Sequence, residues 1–181
     1  MAYARYRKYM PILQKNEADY IMSNDNSTNS TADIEKIIID CFKEYGSIES
    51  RTNSKSVFIK NYYENVQQNK FLNAIDSYAK NIDIDDIIIY VDSTLRGDAK
   101  YGMIITKDTL YYRSRNSKES NSIRLTDIID VNSEIKLFGN KFDITDSNGT
   151  IHKLGQVTSL KKPLLALENS FKNLIEKMSA L

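Results

Sequence analysis

An unbroken run of branched and aromatic residues, Ile87-Ile88-Ile89-Tyr90-Val91, constrains the fold of this chain more than any other feature. A strand of this composition, with no polar alternation, is covered on both faces. The residues after it read as a β-meander. The polar loop Leu95 to Lys100 contains Gly97, which takes backbone angles that other residues resist. Met103 to Thr106 is a second strand, and Lys107-Asp108 a short hairpin connection. A third strand puts Leu110 and Tyr112 on one face, Tyr111 and Arg113 on the other.

Four more strands come after a polar turn at Asn116 to Asn121. Ser122 to Leu125 alternates; Ile129 to Leu137 gives a strand interrupted around Asn132-Ser133; Lys141 to Thr145 alternates strictly. Ser147-Asn148-Gly149 is a hairpin turn, since Asn-Gly tolerates positive φ, and Thr150 to Leu154 completes a seventh strand. Ser159 to Met178 closes the chain as a helix. Thr158 or Ser159 is its expected cap, Pro163 falls in the first turn, and Leu164, Leu167, Phe171, Leu174, Ile175 and Met178 lie along one face.

Upstream, residues 23–32 read as a polar linker, and Asp33 to Tyr45 as an amphipathic helix that Gly46 stops. After a polar connection over Ser47 to Ser56, Val57 to Ala79 has helical periodicity in two pieces, broken near Gln67-Gln68-Asn69. These segments hold too much apolar surface to stand free. Packed on the outside of the β layer, they account for a first strand that is apolar on both sides.

The strand IIIYVDSTLRG, the loop ending in Lys100-Tyr101-Gly102, the strand-turn-strand MIITKDTLYYR and the helical lead-in Lys70 to Ala79 together resemble the bacterial pleckstrin-homology-like (PH-like, GRAM-related) domains over about residues 70–178. The resemblance implies an α+β fold: a seven-stranded antiparallel bent sandwich or barrel capped by a C-terminal helix. It places the boundary between an N-terminal extension at 1–81, comprising arm, linker and helices, and a β domain at 82–181. It also implies a module of a bacterium or phage. Superfolds host unrelated functions, so the resemblance does not choose an activity.

Composition excludes several classes. The net charge of +1, from 25 basic and 24 acidic residues, argues against nucleic-acid binding by the whole surface. One cysteine, Cys41, leaves no internal disulfide, and its place on an apolar stripe suits a small buried hydrophobe. The basic start has no apolar run after it, so a cytoplasmic chain is expected, peripheral at most to a membrane. One histidine, His152, sits in a strand with no local partner in sequence, which suits a surface or satisfied histidine. With a single His and a single Cys there is no zinc spacing, and the Asp83-Asp85-Asp86 cluster lacks a calcium-loop pattern. No glycine-rich phosphate motif is present. The expectation is no catalytic residue, no metal and no cofactor.

The leading reading is therefore a non-catalytic interaction or scaffolding module that binds a protein partner or itself, through a sheet edge or tyrosine-rich surfaces. Tyr3, Tyr6, Tyr9, Tyr63 and Tyr111 are the exposed candidates among 12 tyrosines. The alternative is a peripheral anionic-lipid or phosphate binder. In lipid-binding PH domains the loop between the first two strands and the adjoining strands carry phosphate-holding basic residues; the resemblance puts Arg96 and Lys100 in that loop, with Asp98 opposing, and Arg113, Arg115 and Lys118 at the end of the third strand, converging nearby. A third reading is nucleic-acid binding by the Arg5-Arg7-Lys8 arm.

Overall fold

The computed structural model describes residues 27–51, 56–64, 66–94, 97–137 and 139–181, with side chains from Asp33 onward. The chain divides into two compact units, Met1–Ser30 and Thr31–Leu181. Among the described residues there are three α-helices and eight strands, all pairings antiparallel, in two separate sheets. In chain order these are α1 (Ser27–Arg51), β1 (Val57–Ile59), α2 (Gln68–Tyr78), β2 (Ile89–Asp92), β3 (Gly102–Ile105), β4 (Thr109–Arg113), β5 (Asn121–Arg124), β6 (Ile128–Glu134), β7 (Lys141–Asp146), β8 (Ile151–Lys153) and α3 (Lys161–Met178). The sheets run β1-β2-β3-β4-β5 and β6-β7-β8.

Three expectations need correcting. The strands number eight rather than seven, because Val57–Ile59 is a strand where helix was expected. Its register, Val57 opposite Val91, Phe58 opposite Tyr90 and Ile59 opposite Ile89, makes it the outer neighbour of β2. A β-branched, aromatic tripeptide beside an unpaired strand gains a ladder and two covered faces, which outweighs a helical spacing. Asn61 then turns the chain at φ 58°, and Tyr63 bonds back to Ile59. Second, α1 does not stop at Gly46, and it takes in Ser27 to Ala32 of the expected linker. A Cβ on Gly46 would lie 2.5 Å from Ile59 Cδ1. The glycine is a notch on the helix into which β1 fits. Third, neither Thr158 nor Ser159 caps α3; Leu160 occupies the cap position without a side-chain bond.

Both faces of the five-stranded sheet are covered, as the apolar run required. Phe58, Tyr90, Ile104 and Tyr111 form a row across four strands. Beneath α2 this row meets Phe71, Ala74 and Tyr78; the Phe71 ring stands edge-on to Phe58 at 5.0 Å and to Tyr90 at 5.2 Å. The opposite face, with Val57, Ile59, Ile89, Val91, Met103, Ile105, Leu110 and Tyr112, joins the main core. There the stripes of α1 (Ile38, Cys41, Phe42, Tyr45) and α3 (Leu164, Leu167, Phe171, Leu174) meet the inner residues of the smaller sheet, Val131, Phe142 and Ile144. Gly102 brings β2 and β3 together at φ 145°, where a Cβ would stand 2.0 Å from the Val91 carbonyl oxygen.

Candidate functional site

The cationic residues are dispersed over separate surroundings. Lys100 is exposed and pairs with Asp98 at 3.4 Å. Arg113 lies with its guanidinium 5.5 Å from the Tyr101 ring centre, and its Nε donates to the Ser117 carbonyl. Arg115 lines an open cleft of about 320 Å³ together with Tyr45, Glu49, Asp92 and Thr94. Two of those neighbours are buried acids, Glu49 at 6% and Asp92 at 4% exposure, which oppose an anion. Asp92 accepts from Lys70 Nζ at 3.1 Å and from the Thr94 amide at 2.9 Å, and so anchors the start of the β2–β3 loop to α2. Arg96, Tyr3, Tyr6 and Tyr9 lie outside the described residues, as does the Arg5-Arg7-Lys8 arm. Tyr63 and Tyr111 were expected to be exposed; both are half-buried, packed against the main and the second core respectively.

His152 does have partners, contrary to the reading of its sequence neighbours. Tyr112 of β4 and Asp146 of β7 flank it, at 3.0 Å from Nδ1 and 2.9 Å from Nε2. Asp146 also accepts from the amides of Asn148 and Thr150, and the His152 bond followed by these amides holds its carboxyl below the usual range. An ionised Asp146 accepts a hydrogen bond from Nε2–H, and in a neutral ring Nδ1 is then the acceptor for the Tyr112 hydroxyl. This chain of bonds ties one sheet to the other. Tyr112 is 4% exposed, and burial pushes its hydroxyl up to about 12. The Cys41 thiol is likewise buried and its pKa raised by desolvation, the reverse of a reactive thiolate.

Burial raises the pKa of Tyr45, Tyr78 and Tyr90 as well as Tyr112, and the Tyr78 and Tyr90 hydroxyls have no hydrogen-bond partner among the described residues. This yields a signed prediction. The folded state keeps protons that the unfolded chain loses above a pH of about 10, so stability is complete below that pH and falls above it. Tyr112 alone, with its hydroxyl at about 12, costs about 2 kcal/mol by the time the pH reaches that value. Tyrosinate absorbance should rise in two stages, the second coinciding with loss of ellipticity. A single smooth titration with the fold intact would refute the burial argument.

Strand β6 has a different character. With seven residues it is the longest strand described, and it lies at the margin of its sheet. Ile129 within it (54%) and Ile135 (47%) and Leu137 (97%) just after it expose aliphatic surface, while Asp130, Asn132 and Glu134 face water. On the inner side Ser133 donates to Glu168 of α3. The neighbouring strand determines which backbone groups point outward. Asp146 N–H bonds to the Thr150 carbonyl and Leu154 N–H to the Phe142 carbonyl, so the even-numbered residues of β7 face β8. Lys141, Asp143 and Thr145 therefore face β6, opposite Glu134, Asn132 and Asp130. The N–H and C=O groups of Val131 and Ser133 are left pointing away from the sheet, and among the described residues neither bonds to other backbone there, while the Ser133 N–H meets the Glu168 carboxylate of α3. A strand was legible here in the sequence. Its position at a margin was not, because that depends on which strands pair.

Among the described residues no helix is long and apolar enough to cross a membrane, and no group of three His, Cys, Asp or Glu side chains is placed to hold a metal ion. No family model, no curated protein and no solved structure matches the chain.

Proposed function

We propose that the chain is a non-catalytic protein-interaction module on a PH-like scaffold, binding an extended protein segment or a further copy of itself through the outer margin of β6. Strands β2 to β8 followed by α3, in a four-plus-three arrangement with β1 added at one side, support the scaffold. The interaction reading is carried by one observation: outward backbone groups on β6 lie beside exposed Ile129, Ile135 and Leu137. Main-chain pairing along such a margin supplies affinity, and alternate side chains supply selectivity. The other marginal strands are shorter, three residues in β1 and β8 and four in β5. An anionic-ligand role has less support, since Lys100 and Arg113 are engaged within the chain and Arg115 sits beside buried acids.

The test is the paired variant Ile135→Asp with Leu137→Asp, both at exposed positions. Solution mass against concentration and capture of partners on immobilised protein are measured beside the parent chain. The parent should self-associate or retain a partner, and the variant should lose that property with an unchanged melting temperature. An inert monomeric parent, or a variant that binds as well as the parent, rules the reading out.

A further inference from the structure

The segment Ile129-Asp130-Val131-Asn132-Ser133-Glu134-Ile135-Lys136-Leu137 has a property that its single-strand reading does not reveal. Reversed against itself about Ser133, it sets Ile129 opposite Leu137, Asp130 opposite Lys136, Val131 opposite Ile135 and Asn132 opposite Glu134. Every position then meets its chemical complement: aliphatic on aliphatic, acid on base, amide on carboxylate. A two-fold axis at Ser133 repeats each pair twice.

We propose that two copies of this chain associate through β6, antiparallel and centred on Ser133, joining their three-stranded sheets into one sheet of six strands. The proposal rests on the interaction reading above and names its partner.

Backbone geometry and charge select this register independently. Only Val131, Ser133 and, by continuation, Ile135 direct N–H and C=O outward, so antiparallel bonding must place odd residues opposite odd residues. The Lys136 amide fits this parity, because it already bonds inward, to Asn140 Oδ1. Shifts of one residue in the pairing sum put an outward residue opposite an inward one and make no ladder. Of the neighbouring registers that keep the parity, centring on Asn132 sets Asp130 opposite Glu134, and centring on Glu134 sets that acid opposite its own copy. Like charges directly opposite each other are destabilising. The Ser133-centred register avoids both collisions and sets Ile135 against Val131, with Leu137 and the bulge residue Ile129 at the ends of the contact. Opposed residues in a ladder share a face, so Val131 and Ile135 meet on the α3 side, Asp130 and Lys136 on the outer side.

The free strand ends at Glu134, where Lys136 pairs with that carboxylate at 3.2 Å. Association extends the strand to Leu137, exchanges the Lys136 contact with Glu134 for one with Asp130 of the second copy, and moves the Ser133 N–H from the Glu168 carboxylate to the Ser133 carbonyl of that copy. The β-bulge between Ile128 and Asp130 stands at the far end of the contact and marks where the new pairing stops.

The experiment is a charge exchange read by sedimentation equilibrium on the full chain. Asp130→Lys alone and Lys136→Asp alone each create two like-charge contacts per dimer. Either should weaken association about tenfold, and the double variant D130K/K136D should return to within about threefold of the parent. Both positions are exposed, so melting temperature serves as the folding control. Single variants that associate like the parent overturn the register, as does a double variant no tighter than the singles. A parent chain monomeric to about 100 µM overturns the self-pairing altogether. If that monomer still captures a partner that the Ile135→Asp, Leu137→Asp chain does not, the interaction reading stands and only the identity of the partner is wrong.

Discussion

Phe171→Ala should lower stability by about 3–5 kcal/mol, read as a shift of the urea midpoint at constant slope. Phe171 is fully buried in α3, edge-on to Phe42 of α1 at 5.2 Å and tilted against Phe142 of β7 at 5.6 Å. Its neighbours belong to two helices and a sheet. No one of them can close the vacated space without moving against another, so the cavity persists and the cost sits near the upper part of the usual range. Phe171→Leu keeps most of the volume and should cost about 1–2 kcal/mol. Leu165 of the same helix is 41% exposed, and its alanine variant should fall within about 1 kcal/mol of the parent. A loss below about 1 kcal/mol for Phe171→Ala would mean that α1 and α3 do not share a core.

The second large effect is electrostatic. Lys70→Met should cost about 3–5 kcal/mol, because it strips the cation from a carboxylate that cannot reach water. The Asp92 side chain is 0% exposed and that of Lys70 13%. The same carboxylate holds Thr94, whose hydroxyl in turn accepts from the Ala99 amide, so the β2–β3 loop depends on its orientation. Replacing both partners, Lys70→Met with Asp92→Asn, should cost less than the sum of the single changes by at least about 1 kcal/mol, since the second change removes the stranded charge. Additive costs in that cycle would show that the pair is not coupled. Amide exchange in residues 97–101 should quicken in Lys70→Met before it does in the distant α3.

Much of the architecture could be read from local pattern. The seven strands from Ile87 onward were legible because alternation or continuous apolarity, punctuated by Gly97, Asn148-Gly149 and polar loops, is written residue by residue. Their observed bounds differ by at most three residues. The closing helix was legible for the same reason. Val57–Ile59 misled because three residues are too few to show a period, and the deciding force was a ladder with Val91, Tyr90 and Ile89 far along the chain. Gly46 misled because a glycine that ends a helix and one that admits a neighbour look alike until the neighbour, Ile59, is in place.

The candidate site divides in the same way. Side-chain complementarity along Ile129 to Leu137 is a property of the string of residues, present before any folding. Which backbone groups face outward, and that among the described residues β6 has no strand on its other side, belongs to the pairing of β7 with β8 and of β6 with β7. Likewise the single histidine was plain in the sequence, but its bond to Asp146 is made within the β7–β8 hairpin, and its bond to Tyr112 exists because two sheets meet there. Periodicity sets which face of an element turns inward, since burial acts on each side chain in its own segment. Margins, notches and buried ion pairs arise between segments distant in sequence, and only the assembled sheets and helices bring those partners together.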